Sequence, residues 1–200
     1  MEAIIHGIIL AIGLILPLGV QNVFVFSQGA TQPRLRSALP ATITAAVCDT
    51  LLILLAIFGL SIIVLQFEWL RLSLMVIGIL FLLYMGYSIW RSEPTTSITS
   101  KALPMSKQIL FALSVSLLNP HAILDIVGVI GTSALKYVGS ERIYFTVACI
   151  VVSWIWFFGL TIAGTVIKRL DGKGKLLVIF NKSSALFIWG TAIYLFSGLM

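Results

Sequence analysis

From Ala38 to Leu65 the sequence holds a single charged residue, Asp49, in a run that is otherwise apolar, small or hydroxyl-bearing. Runs of this kind limit what the chain can fold into. About 20 apolar residues in a helix cross the hydrocarbon core of a bilayer. Inside that core every backbone N–H and C=O must find a partner within the chain, so only helices and closed barrels span it. The runs here lack an alternating pattern and exceed the roughly 10 residues of a barrel strand. Six of them predict six transmembrane helices, spans 1 to 6, at residues 4–27, 38–65, 69–90, 108–134, 143–167 and 177–199. Composition agrees. Of the 200 residues 60% are hydrophobic and 10% charged, against about 25% charged in soluble domains. Mean hydropathy is +1.10. The fold class expected is an all-α integral membrane protein. The opening MEAIIHGIIL carries an acid and no basic n-region, so it is expected to stay in place as span 1.

The basic residues give a topology. Loops 1–2, 3–4 and 5–6 hold ten of the 13 Lys and Arg, among them Arg34, Arg36, Lys107, Lys168 and Lys182. The opposite side holds Arg71, Lys136 and Arg142. The positive-inside rule then predicts those three loops in the cytoplasm and both termini outside. Loop placement accounts for the net charge of +6, and no nucleic-acid partner is expected. Cys48 and Cys149 lie in apolar runs without a Cys or His at ligand spacing, and read as small buried side chains. His6 is placed near the outer interface, in water. No phosphate loop, zinc spacing or nucleophile–base arrangement is found, so no enzyme, cofactor or metal centre is expected.

The longest polar linker, residues 91–107, separates two sets of three spans. Three is odd, so a repeat of three is inverted across the membrane, as in many transporters. Pro17 lies mid-way along span 1 and Pro120 mid-way along span 4. Five residues later come Asn22 and Asp125. Asp49 follows Pro17 in span 2 much as Ser153 follows Pro120 in span 5. Spans 3 and 6 carry Gly78/Gly86 and Gly190/Gly198. A single transporter domain results: repeat 1 at about 1–90, a linker at 91–107, repeat 2 at about 108–200, with spans 1 and 4 broken at proline.

Two acids, Asp49 and Asp125, lie deep in apolar helices. Insertion scales set a central Asp at about 2.5–3.5 kcal/mol, and such residues mark substrate or proton paths. No Lys or Arg lies equally deep, so a bound cation or a proton is the expected counter-charge. In LLNPHAILD, Leu117–Asp125, Pro120 frees the Ser116 carbonyl and Asn119 supplies an amide. His121 and Asp125, four apart, share a face and form a candidate proton relay. In span 1 Pro17 frees the Gly13 carbonyl. Gly19 is expected to permit close approach or unusual dihedrals, and Gln21 and Asn22 supply amides. Freed carbonyls suit a cation, and a half-helix start suits a carboxylate. An amino acid carries both. Ser153, Trp154 and Trp156 in span 5 are candidate pocket walls.

The stretches GLILPLGVQNVFVFSQG (Gly13–Gly29), CDTLLI (Cys48–Ile53) and LLNPHAILD with VIGTSA after it resemble the LysE-type amino-acid exporter family. The resemblance covers the whole chain. The Asn-Pro-His…Leu-Asp form is similar to the basic amino-acid exporters; the homoserine/threonine branch usually has Asn-Pro-Lys without this aspartate. The resemblance implies export of arginine or lysine across the bacterial cytoplasmic membrane, driven by the proton or potential gradient. It implies Asp49, Asn119, Pro120 and Asp125 at the site, with Pro17, Gly19, Gln21 and Asn22 opposite, and a homodimer. Ser116 before the span 4 motif and an extra tryptophan in span 5 depart from familiar members and bear on the substrate. Alternatives are a neutral amino acid or a metal cation on the same fold, with Cys48 beside Asp49 the hint of a soft ligand, or a membrane assembly or channel subunit that is not a carrier.

Overall fold

The computed structural model describes residues 1–16, 19–58, 76, 79–80, 83–84, 86–87, 90–91, 102–119, 122–123, 126–170 and 175–197. Most of span 3, the glycines Gly78 and Gly198, residues 92–101 of the linker, and Pro17, Pro120, His121 and Asp125 lie outside these residues. Among the described residues all regular structure is helical.

Span 1 is two helices. α1 runs Glu2–Ile15, with Glu2 in its first turn, where a carboxylate suits the helix dipole. α2 runs Val20–Thr31. Their axes differ by 79° across a short break. α3 runs Leu35–Phe58 and α4 Met105–Leu117. α4 stops at Leu118, which leaves the helical region at φ −100°, ψ 4°. Beyond the stop, Asn119 takes the Ile123 N–H on its carbonyl, a π-helical turn covers Ile126–Gly131, and one α turn follows at Thr132–Ala134. π turns carry an extra residue per turn and recur at functional sites. Gly139, at φ 57°, makes the corner that only glycine takes readily. α5 then runs Ser140–Leu170 and α6 Lys175–Ser197. α3, α5 and the bent α1–α2 pair are each long and apolar enough to cross a membrane.

α3 shows how the sequence sorts its faces. Ala38, Ala41, Ala45 and Ala46 are fully buried. Ile43, Val47, Leu51, Leu54, Leu55 and Phe58 point outward. Small residues inside and large apolar ones outside are the reverse of a soluble helix. In lipid, an outward Leu costs nothing, and close approach through small residues drives helix association. This side-chain sorting and the apolar helix lengths make the chain a membrane protein.

α5 is the central rod, packed on α1, α2 and α3. Glycines set its distance. A Cβ on Gly29 would fall on the Thr161 carbonyl, and one on Gly164 would fall on the Phe26 carbonyl. One on Gly7 would lie 2.9 Å from the Phe145 carbonyl. At this close approach hydroxyls bridge the helices. Thr42 and Thr161 share a 2.7 Å hydrogen bond, and Thr165 donates to the Gly29 carbonyl at 3.1 Å.

Two polar clusters mark the bundle ends. At one, Gln32 and Gln108 both donate to the Leu103 carbonyl, at 3.0 and 2.9 Å. Gln108 also donates to Ser37, and Lys168 donates to the Gln32 carbonyl. At the other, Arg142 donates to the Ile57 carbonyl. His6 is not free in water as expected. It is half-buried, its Nδ1 lies 2.9 Å from the Tyr137 hydroxyl, and its ring packs on Phe145. α1 lies here against the start of α5, so one side of the imidazole is covered.

Candidate functional site

The site is built where α5 crosses the α1–α2 break and the middle of α3. Asp49 is 9% exposed. It sits on the inner face of α3 because Ala45, Ala46, Ile53 and Ala56, at helical spacing from it, are also inward. Ser153 of α5 is buried opposite, and its hydroxyl donates to Asp49 Oδ2 at 2.5 Å. The two positions paired by spacing in the sequence thus touch. An ionised carboxyl has roughly four acceptor positions. Among the described residues the donor that reaches it is this one hydroxyl. No lysine or arginine is hydrogen-bonded to it there.

One residue further along, the pairing repeats. Trp154 Nε1 donates to Thr50 Oγ1 at 3.0 Å. Thr50 passes its own proton to the Ala46 carbonyl at 2.7 Å. Thr50 is not among the sequence candidates. A threonine in a membrane helix bonds its own backbone so often that nothing local marks this one.

The helix break uses its amides to repair itself. α1 ends at Ile15, whose carbonyl is among the last four that a helix leaves without an internal partner. Asn22 Nδ2 donates to it at 2.8 Å. Asn22 Oδ1 in turn accepts from Trp156 Nε1 at 3.3 Å. Gln21 Nε2 reaches the Ala45 carbonyl of α3 at 3.4 Å. Both amides are buried. Gly19 departs from expectation. It is the N-cap of α2 at φ −69°, ψ 172°, a conformation open to any residue, and among the described residues an added Cβ would meet nothing within 4 Å. The backbone conformation there does not call for a glycine.

At the second break, Asn119 is buried and its Oδ1 accepts the Ala122 N–H at 3.5 Å. Ser116, one turn before, is fully buried and bonds the Ala112 carbonyl. Cys48 and Cys149 are both free thiols and buried, as read from sequence. Cys149 leans on the Gly7 carbonyl at 3.6 Å. Of the sequence candidates, the structure brings together Asp49 with Ser153 and Asn22 with Trp156. Gln21 and Trp154 reach the same region of α3. Pro17, Pro120, His121 and Asp125 are outside the described residues.

Chemically this is an acceptor-rich region inside an apolar bundle: a carboxyl, an amide oxygen and a hydroxyl oxygen. Such a site suits a ligand rich in N–H groups.

A family model described as LysE type translocator matches residues 12–198. The chain is 56% identical over 195 residues to "Putative amino-acid transporter YisU" of Bacillus subtilis (strain 168), covering 97% of this chain and 89% of that protein. It is 31% identical to the arginine exporter protein ArgO of Enterobacter sp. (strain 638), covering 95% of this chain and 91% of that one. ArgO of Escherichia coli (strain K12) is 30% identical, with the same two coverages of 95% and 91%. No solved structure matches. With its helices apolar enough to span a bilayer and a family match across nearly its whole length, the chain belongs to the LysE type translocators, a family of amino-acid transporters.

Proposed function

We propose that the chain exports basic amino acids, arginine or lysine, across the bacterial cytoplasmic membrane by alternating access. The observation that carries this reading is Asp49, a buried carboxyl whose one donor among the described residues is the Ser153 hydroxyl. A buried charge needs a charged partner, and a substrate cation supplies it. The relatives named as arginine exporters support the same choice.

The substrate's ammonium or guanidinium meets Asp49 in the first repeat or Asp125 in the second. Its α-carboxylate meets the amide N–H groups and the start of α2 at the helix break, where the dipole favours an anion. His121 and Asp125 carry the coupling proton. The architecture is six spans in two inverted repeats, with breaks at Pro17 and Pro120. The Asp49–Ser153 contact supports this, because matched positions of two inverted repeats meet only near the axis that relates them. The basic loops face the cytoplasm, both termini lie outside, and two copies associate as a homodimer.

The test is counterflow in proteoliposomes. Labelled arginine or lysine should accumulate against unlabelled substrate inside. Asp49→Asn and Asp125→Asn should each abolish it while the protein still inserts. Full counterflow by both variants would sink the mechanism. A protein that shows none with any amino acid would point instead to a non-carrier role.

A further inference from the structure

α5 meets this region with donors alone. Ser153 gives its proton to Asp49, Trp154 to Thr50 and Trp156 to Asn22. The directions are fixed by chemistry. An indole N–H donates and never accepts, and an ionised carboxyl does the reverse. Thr50 has already spent its proton on Ala46. Asn22 spends an N–H on Ile15, which turns its Oδ1 toward Trp156.

Ser153 and Trp156 are three residues apart and share one face of α5. Between them they cover an acceptor on α3 and an acceptor on α2. These are groups that a cationic ligand would use. We infer that Ser153 and Trp156 are positioning residues that compete with a substrate cation for these two acceptors, and that the arriving substrate's N–H groups replace them. The inference rests on the reading above, in which a basic amino acid binds at Asp49.

The exchange has a mechanical result. The two bonds tie α5 to α3 and α2. When substrate N–H groups take the same acceptors these two ties are lost, while the Thr42–Thr161, Trp154–Thr50 and Thr165–Gly29 bonds still hold α5 to its neighbours. A ligand shifts a conformational equilibrium only through a difference in how it interacts with the two states. Competition for shared acceptors is such a difference.

The test compares purified wild type with Ser153→Ala, Ser153→Thr and Trp156→Phe. Removing a competing donor should tighten arginine binding, by about three- to tenfold for Ser153→Ala and less for Trp156→Phe, the scale expected for one modest hydrogen bond. Maximal counterflow should fall. Ser153→Thr keeps the hydroxyl and should restore wild-type affinity. The ligand-free melting midpoint should drop in both donor-less variants, and saturating arginine should close the gap. A residue with a purely structural or direct binding role predicts the opposite sign for affinity. Unchanged or weakened binding in both variants therefore overturns the inference. If wild type binds neither arginine nor lysine, the basic-substrate reading fails. The ligand-free melts then decide the ties alone, and unchanged midpoints in both variants overturn them.

Discussion

Asp49→Asn is the most informative single change, because it removes a charge and little else. Asparagine has the same shape, and its Oδ1 can still accept from the Ser153 hydroxyl, which now lies 2.5 Å from Asp49 Oδ2. The fold should hold. What is lost is the attraction of a carboxylate for a substrate cation. At about 4 Å and an effective dielectric near 20 that attraction is about 4 kcal/mol. Part of it is offset by desolvation of the cation. A lower bound comes from hydrogen bonding: a charged acceptor is worth about 1–2 kcal/mol more than a neutral one. At 1.4 kcal/mol per decade, arginine binding should weaken by about tenfold at least and roughly a thousandfold at most. The assay is equilibrium binding of labelled arginine to purified protein, with a ligand-free melt as control. An Asn variant that binds within about twofold of wild type, with an unchanged melt, would refute Asp49 as the cation's partner. It would also revive a neutral substrate.

Further outcomes follow from the packing and the topology. Gly164→Val places carbons where the Phe26 carbonyl lies, so the α2–α5 crossing should open, at a cost of about 1–3 kcal/mol or more, read as a lower melting midpoint. Gly159→Ala, where among the described residues an added Cβ meets nothing within 4 Å, should leave the midpoint unchanged or raise it; a large fall there would contradict the placement of α5. Cys48→Ala should retain arginine counterflow, whereas loss of transport with intact folding would favour a soft-metal substrate. A small C-terminal epitope should be labelled on intact spheroplasts; labelling only after permeabilisation would reverse the assigned topology.

The membrane class and the family could be read along the chain, because each rests on local facts. An apolar run either is or is not long enough to span, and the LPLGVQN and LLNPHAILD motifs are contiguous. Asp49 stood out for the same reason, since the cost of a buried acid depends on its own neighbours in sequence. Spacing even matched Asp49 with Ser153. It offered no sign that the two would touch, because contact depends on how α3 and α5 cross.

Partners are where the reading along the chain stopped. Gln21 and Asn22 looked alike as amides beside a proline. In the folded chain one reaches the Ala45 carbonyl of α3, and the other bridges Ile15 to Trp156. Gly19, beside a proline, suggests unusual dihedrals, and it caps α2 in a conformation open to any residue. His6 looked solvated and lies against Tyr137 and Phe145. In each case the residue type fixes what a group must do, such as find a donor, fill a gap or shed a charge. Which neighbour answers depends on helix crossings set by Gly7, Gly29 and Gly164 against distant backbone. Burial cost is therefore legible from composition in a short window. The hydrogen bonds that meet that cost join residues on different helices, and they exist only once those helices have packed.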